Sequence, residues 1–143
     1  MTIEHFQKLE RMYLAAPCNR YYQPKIAIRN GETDLAIAVQ PEFFHAAKAV
    51  HGSVYFKALD DSSFFAVNSL VTDVFVLTIS LNLYFLRPVN SGHIRAVGKV
   101  IERSKRLFTA ESTLYNDKRK VIARSSGQFM RSTILLDESI GYK

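Results

Sequence analysis

The stretch His51-Gly52-Ser53-Val54-Tyr55-Phe56-Lys57-Ala58-Leu59-Asp60-Asp61-Ser62-Ser63-Phe64-Phe65-Ala66-Val67-Asn68-Ser69 is the one long central run whose apolar residues recur at helical spacing. At about 100° per residue, Val54, Ala58 and Phe65 fall together, flanked by Tyr55, Leu59, Ala66 and Leu70. So broad an apolar face suits a helix lying on a sheet. Lys57, Asp61 and Asn68 fall on the opposite stripe, and the four-residue spacing of Lys57 and Asp61 allows a modest surface ion pair. In this reading Asp61 is a solvated residue.

Asp60 has different neighbours: Phe56 and Phe64 lie four positions to either side and Val67 one turn further along. A carboxylate among apolar rings loses hydration, which raises its pKa and suits it to proton transfer. The start of the helix carries the complementary chemistry. Gly52 admits a sharp turn and close approach of a ligand, and the free N–H groups of a helix start attract a developing negative charge. The eight residues between Gly52 and Asp60 span about 12 Å of helix, so the two groups cannot converge on one reacting carbonyl within a chain. Joint action requires two antiparallel copies of the helix, and therefore a dimer with two shared sites.

Beyond the helix, Asp73 marks a turn and residues 74–86 split by parity. Phe75, Leu77, Ile79, Leu81, Leu83 and Phe85 form an apolar face expected to pack on the helix; Thr78, Ser80, Asn82 and Tyr84 form a polar face expected to meet a partner subunit. Arg87-Pro88 ends that strand, and residues 89–92 turn. Residues 93–103, 106–116 and 120–131 read as three further strands in a meander, followed from Ser132 by an unpatterned tail. Before the helix, residues 21–29 and 33–40 alternate around Asn30-Gly31, a hairpin signal. Residues 41–50 form a loop, and Ile3, Phe6, Leu9 and Leu14 predict an N-terminal helix over 1–16 that packs at an edge. The fold class is α+β: an antiparallel sheet with one long helix against it.

With 143 residues, 48% hydrophobic and 22% charged, the chain is expected to form one domain with a real core, residues 132–143 remaining as a tail. A single Cys18 cannot form an internal disulfide, and no His, Cys, Asp or Glu spacing suggests a metal site. Glu4, His5, Lys8, Glu10 and Arg11 interrupt any apolar leader, so the expected location is the cytoplasm. Residues 74–86 are too short and polar to span a bilayer. The net charge of +6 is uneven: residues 87–131 hold eleven Lys and Arg against Glu102, Glu111 and Asp117, a net of +8. That surplus suits an anionic partner such as a phosphorylated cofactor. A nucleic-acid module would use the same charge, but the aromatic pattern for stacking on bases is missing, so no nucleic-acid partner is expected.

His51-Gly52-Ser53 followed by Asp60, nine positions after the His, resembles the signature of the hotdog-fold acyl-CoA thioesterases of the phenylacetate-pathway type. Leu86-Arg87-Pro88 with Gly92 downstream fits the same pattern. The likeness runs from about Phe6 to Arg131. It implies a hotdog fold, in which the sheet wraps the central helix and two sheets join edge to edge in a dimer or a dimer of dimers.

The implied reaction is hydrolysis of an acyl-CoA thioester to free acid and coenzyme A, with no cofactor beyond the coenzyme A of the substrate. In it the Gly52 N–H polarises the thioester carbonyl, and Asp60 from the second subunit activates water or attacks the carbonyl itself. His51 orients the turn, and Thr78 matches a hydroxyl position that assists the water, although it also reads as an ordinary strand threonine. Two positions depart from the family pattern. Ser53 stands where many relatives have Gly, and His45 stands where many have Asn six positions before the His-Gly pair. His45 could hold the attacking water and also titrate near neutrality, so activity would fall in acid and the fall would be lost in His45→Gln. Arg103, Lys105 and Arg106 flank a turn suited to coenzyme A phosphates, and Phe44 and Phe64 are candidates for the acyl pocket. The rival is a hotdog protein that binds acyl-CoA without turnover, in which Asp60 is dispensable.

Overall fold

The computed structural model describes residues 2–143. It contains helices α1 (Ile3–Ala15), α2 (Asn19–Tyr22) and α3 (Gly52–Asn68), and strands β1 (Lys25–Arg29), β2 (Glu32–Ala38), β3 (Val74–Phe85), β4 (His93–Arg103), β5 (Leu107–Tyr115) and β6 (Val121–Leu135). The six strands form one antiparallel sheet in the order β1-β2-β4-β5-β6-β3. The sheet wraps α3 in a hotdog fold, as the family resemblance implies.

The helix lies close because two residues at the contact are small or polar in the right way. A Cβ on Gly98 of β4 would stand 2.3 Å from the Ser62 carbonyl oxygen, so only glycine permits this approach of helix backbone to sheet. Beside it the Ser62 and Ser112 hydroxyls meet at 2.6 Å, satisfying both inside the core. Val54, Ala58, Leu59, Ala66 and Val67 are buried along the same contact.

Three expectations about the helix and its surroundings are corrected. Asn68 is fully buried, donating to the carbonyls of Val71 and Val74 and accepting from the Val76 N–H, and so it ties the end of α3 to the start of β3. Asp61 is also largely buried, because α1 packs over that side of α3 and the Tyr13 hydroxyl donates to it. The expected strand over residues 21–29 begins only at Lys25. α2 occupies 19–22, closes on Gln23 in the left-handed region (φ 48°) and is followed by Pro24.

β3 breaks strict parity. A register shift between Thr78 and Ser80 leaves Ile79 bulged. Before the bulge Val76 is buried and Thr78 reaches α3; after it Leu81 and Leu83 pack on the core. Leu77 and Ile79, expected in the core, are 43% and 51% exposed. β3 is also an end strand, with its second edge unpaired.

The tail is structured as well. β6 runs to Leu135, opposite Val74 of β3, and a 3-10 turn over Glu138–Ile140 follows. No helix among the described residues is long and apolar enough to cross a membrane.

Candidate active site

α3 presents two candidate positions on one rod. At its start His51 is the N-cap in extended conformation (φ −64°, ψ 144°), and its Nδ1 accepts from the Ser53 N–H at 2.9 Å, with the Ser53 hydroxyl 2.8 Å from the same nitrogen. Accepting through Nδ1 places the proton of the neutral ring on Nε2. His51 is thus a capping residue that leaves the Gly52 N–H as the unengaged donor at the positive end of the helix. The Phe85 ring covers this position: a Cβ on Gly52 would lie 2.9 Å from Phe85 Cζ. His45, Tyr55 and Arg87 line the same depression. His45 is close to His51, with ring centroids 6.4 Å apart, and its Nδ1 accepts from the Ala47 N–H at 3.0 Å.

Two turns further along, Asp60 Oδ1 accepts from the Thr78 hydroxyl at 2.9 Å. Burial pushes the Asp60 carboxyl above the usual range, the neighbouring Asp61 charge pushes the same way, and the Thr78 hydrogen bond and Lys57 work against both. A carboxylate whose proton affinity is raised and whose orientation is fixed by one hydroxyl is suited to accept a proton. Thr78, which the resemblance gave as a hydroxyl assisting the water, is in direct contact with Asp60.

Asp60 opens into a cleft of about 730 Å³ with a mostly apolar lining, including Met12, Phe64, Phe75, Leu77 and Ile140. Phe64 lies on its wall, packed edge-on against Phe65 and tilted against Phe75. Phe44 does not reach this cleft; it forms a bridge with Val50 in the loop before α3 and packs on the core.

The family profile described as the thioesterase superfamily matches residues 47–123, the segment that carries both positions. The chain belongs to the thioesterase superfamily. A Saccharolobus solfataricus protein named as an esterase is 28% identical over 81 residues, 57% of this thioesterase-family chain, and the chain spans about half the length of that curated relative, 54%. Among solved structures, the Escherichia coli PaaI protein from the phenylacetic acid degradation operon superposes with a TM-score of 0.84 at 20% identity, covering 92% of this chain and 96% of that one. A mutant of the phenylacetic acid degradation protein PaaI from Thermus thermophilus superposes at 0.74 and 20% identity, covering 82% and 100%. At these identities the superpositions establish the shared fold.

Within this thioesterase-family domain, Arg103, Lys105 and Arg106 are exposed at the β4–β5 turn. That turn lies beside Gly31 and Leu70, at the C-terminal end of α3. They are therefore separated from the Gly52 of their own chain by the length of the helix. Their end of the molecule is the one toward which Asp60 is displaced.

Sequence reasoning did not find three features of the site. The Lys57–Asp61 pair expected from the spacing forms at 2.9 Å, but Tyr13, whose Oη lies 2.5 Å from Asp61 Oδ2, joins it in a cluster on the cleft wall that the sequence did not suggest. Burial pushes both the Asp61 carboxyl and the Tyr13 hydroxyl up. Phe85 covers Gly52, and Ile134 and Ile140 of the C-terminal segment line the cleft. The apolar residues Ile134, Leu136 and Ile140 within the tail were the available signal for the last of these.

Proposed function

We propose that the protein is an acyl-CoA thioesterase that hydrolyses a thioester to free acid and coenzyme A, in a site shared by two copies of the chain. The observation that carries this reading is the pair of complementary groups on α3: a free N–H at Gly52, and a desolvated Asp60 held by Thr78 about 12 Å further along. Neither can serve the other within one chain, whereas antiparallel apposition of two helices puts each Gly52 beside Asp60 of the partner subunit. The unpaired edge of β3 supports such an apposition. It carries exposed Leu77, Ile79, Tyr84 and Phe85, and a twelve-residue edge of that character calls for a cover.

In the reaction, the thioester carbonyl oxygen accepts a hydrogen bond from the Gly52 N–H, which strengthens as the oxygen gains charge. A water attacks the carbonyl carbon while Asp60 removes its proton, with the carboxylate held by the Thr78 hydroxyl. The tetrahedral intermediate collapses, the carbon–sulfur bond breaks, and the proton held by Asp60 passes to the departing coenzyme A sulfur. His51 keeps the turn in register through its cap, and in this reading His45 Nε2 holds the water. The acyl group occupies the cleft beside Asp60. Arg103, Lys105 and Arg106, on the subunit that supplies Asp60, meet the coenzyme A phosphates.

The test is thiol release from a panel of aryl, short, medium and long acyl-CoAs by wild type, Asp60→Asn and Asp61→Asn, together with the mass of the assembly in solution. Turnover lost in Asp60→Asn alone, in a dimer or larger even-numbered assembly, is the expected result. A folded protein that binds the panel but turns over no member is an acyl-CoA-binding protein, and the proposal fails.

A further inference from the structure

The C-terminal segment after β6 carries residues that the reaction does not use, yet it forms part of the cleft beside Asp60. It leaves β6 at Leu135, and the Leu136 N–H donates to the Asp73 carbonyl at 3.0 Å. Asp137 then caps a 3-10 turn through the Ser139 N–H. Gly141 follows in the left-handed region (φ 90°), lying against Met12 of α1. Ile134, Ser139, Ile140 and Gly141 line the cleft together with Phe64 and Phe75.

The far end is pinned. His5 is buried at 4% exposure, its Nε2 lies 3.0 Å from the Asn68 carbonyl and its Nδ1 2.7 Å from the Tyr142 hydroxyl. A carbonyl only accepts, so Nε2 carries the proton and Nδ1 accepts from Tyr142. Lys8 sits 5.3 Å over the Tyr142 ring, and Arg11 Nε donates to the Lys143 carbonyl at 2.6 Å. A loose tail would need none of these contacts. Their combined effect is to hold the Ile140 side chain as a fixed wall between α1 and the end of β6.

We propose that this strap is the size gauge of the acyl site: Ile140, with Ile134, closes the distal end of the cleft and sets the largest acyl group accepted. The proposal rests on the assignment of the cleft to the acyl group. The ligand class follows from the lining. About 730 Å³ walled by Met12, three phenylalanines and two isoleucines suits a bulky apolar acyl group and leaves an acetyl group with few contacts. Apart from Asp60, the charged groups on the lining are Lys57 and Asp61, which are already paired with one another, so no free cation meets an acidic acyl chain.

The experiment measures kcat/KM for a straight-chain series from acetyl-CoA to palmitoyl-CoA and for phenylacetyl-CoA and benzoyl-CoA. It uses the full-length wild type, Ile140→Ala and Ile140→Trp, with Tyr142→Phe to loosen the pin. Expected is a shift of the preferred length upward in Ile140→Ala and downward in Ile140→Trp. The ratio of long to medium chains should change by about tenfold in each direction, as for gain or loss of a few methylenes of pocket. Tyr142→Phe should broaden the profile. The aryl and straight-chain arms separate a flat pocket from a long one.

Affinities of non-hydrolysable thioether analogues of the same series, read by calorimetry, keep the two proposals apart. Turnover with an unshifted profile in both Ile140 variants overturns the gauge and leaves the thioesterase standing. A shifted affinity profile without turnover does the reverse.

Discussion

Replacing Asp61 by alanine should unfasten α1 from α3 while leaving the chemistry at Asp60 in place. Asp61 Oδ2 accepts from Tyr13 Oη at 2.5 Å and from Lys57 Nζ at 2.9 Å. Tyr13 is buried at 4% exposure, so loss of its acceptor leaves a hydroxyl without water, which costs about 1–3 kcal/mol. Breaking a wholly buried ion pair would cost about 3–5 kcal/mol. The Lys57 side chain is 17% exposed and can turn toward solvent, so only part of that applies. The sum is about 2–4 kcal/mol, or roughly 5–12 °C in Tm for a domain of this size. The assay is urea unfolding of wild type, Asp61→Ala, Tyr13→Phe and the double variant at one fixed protein concentration, since assembly adds to apparent stability. A coupling of about 1–2 kcal/mol between the two sites is expected. Stability within about 0.5 kcal/mol of wild type for Asp61→Ala, or strict additivity in the double variant, would refute the assignment of this cluster as the fastener.

Asp60→Asn should behave oppositely. Because the folded-state pKa of Asp60 is raised, its contribution to stability is intact below the unfolded carboxyl value and is lost as pH rises through the folded value. At pH 7 the wild type therefore carries a poorly solvated charge. The variant should be about 1 kcal/mol more stable there, show no gain near pH 3, and lose at least about a hundredfold in turnover; a loss of stability at pH 7 contradicts the desolvation argument. Gly98→Ala and Gly52→Ala form a contrasting pair. The first drives a methyl into helix backbone and should cost about 3 kcal/mol, whereas the second meets only the movable ring of Phe85, which is 56% exposed. Gly52→Ala should therefore fold nearly as well as wild type yet lose about tenfold in turnover, through displacement at the carbonyl donor. Equal stability losses in thermal unfolding would show that the two glycines share one role. Arg103→Glu and Arg106→Glu together should raise KM for acyl-CoA and largely spare kcat; an unchanged KM assigns that turn to plain surface.

Local pattern was enough for most of the architecture. The helical spacing of Val54, Ala58 and Phe65, the alternation of the later strands and the Asn30-Gly31 turn each depend on near neighbours in the chain, so they are readable without the fold. The polarity of α3 was readable too. The glycine at the helix start and the aspartate between Phe56 and Phe64 two turns later mark, from spacing alone, the positions where the structure has a capped helix N-terminus and a partly buried carboxylate.

The fates of Asp61 and Asn68 were decided elsewhere. Both fall on the stripe of α3 opposite its sheet contact, and both are buried because Tyr13 and His5 of a helix some fifty residues earlier close over that stripe. The parity of β3 failed at Ile79 because a bulge depends on the register against β6, which no single strand encodes. The tail became a wall of the cleft because His5 and Arg11 lie where Tyr142 and Lys143 can reach them. Periodicity in one segment reports which face is apolar. What finally covers the remaining faces is settled by contacts between residues far apart in the chain, and these exist only once the sheet has wrapped the helix.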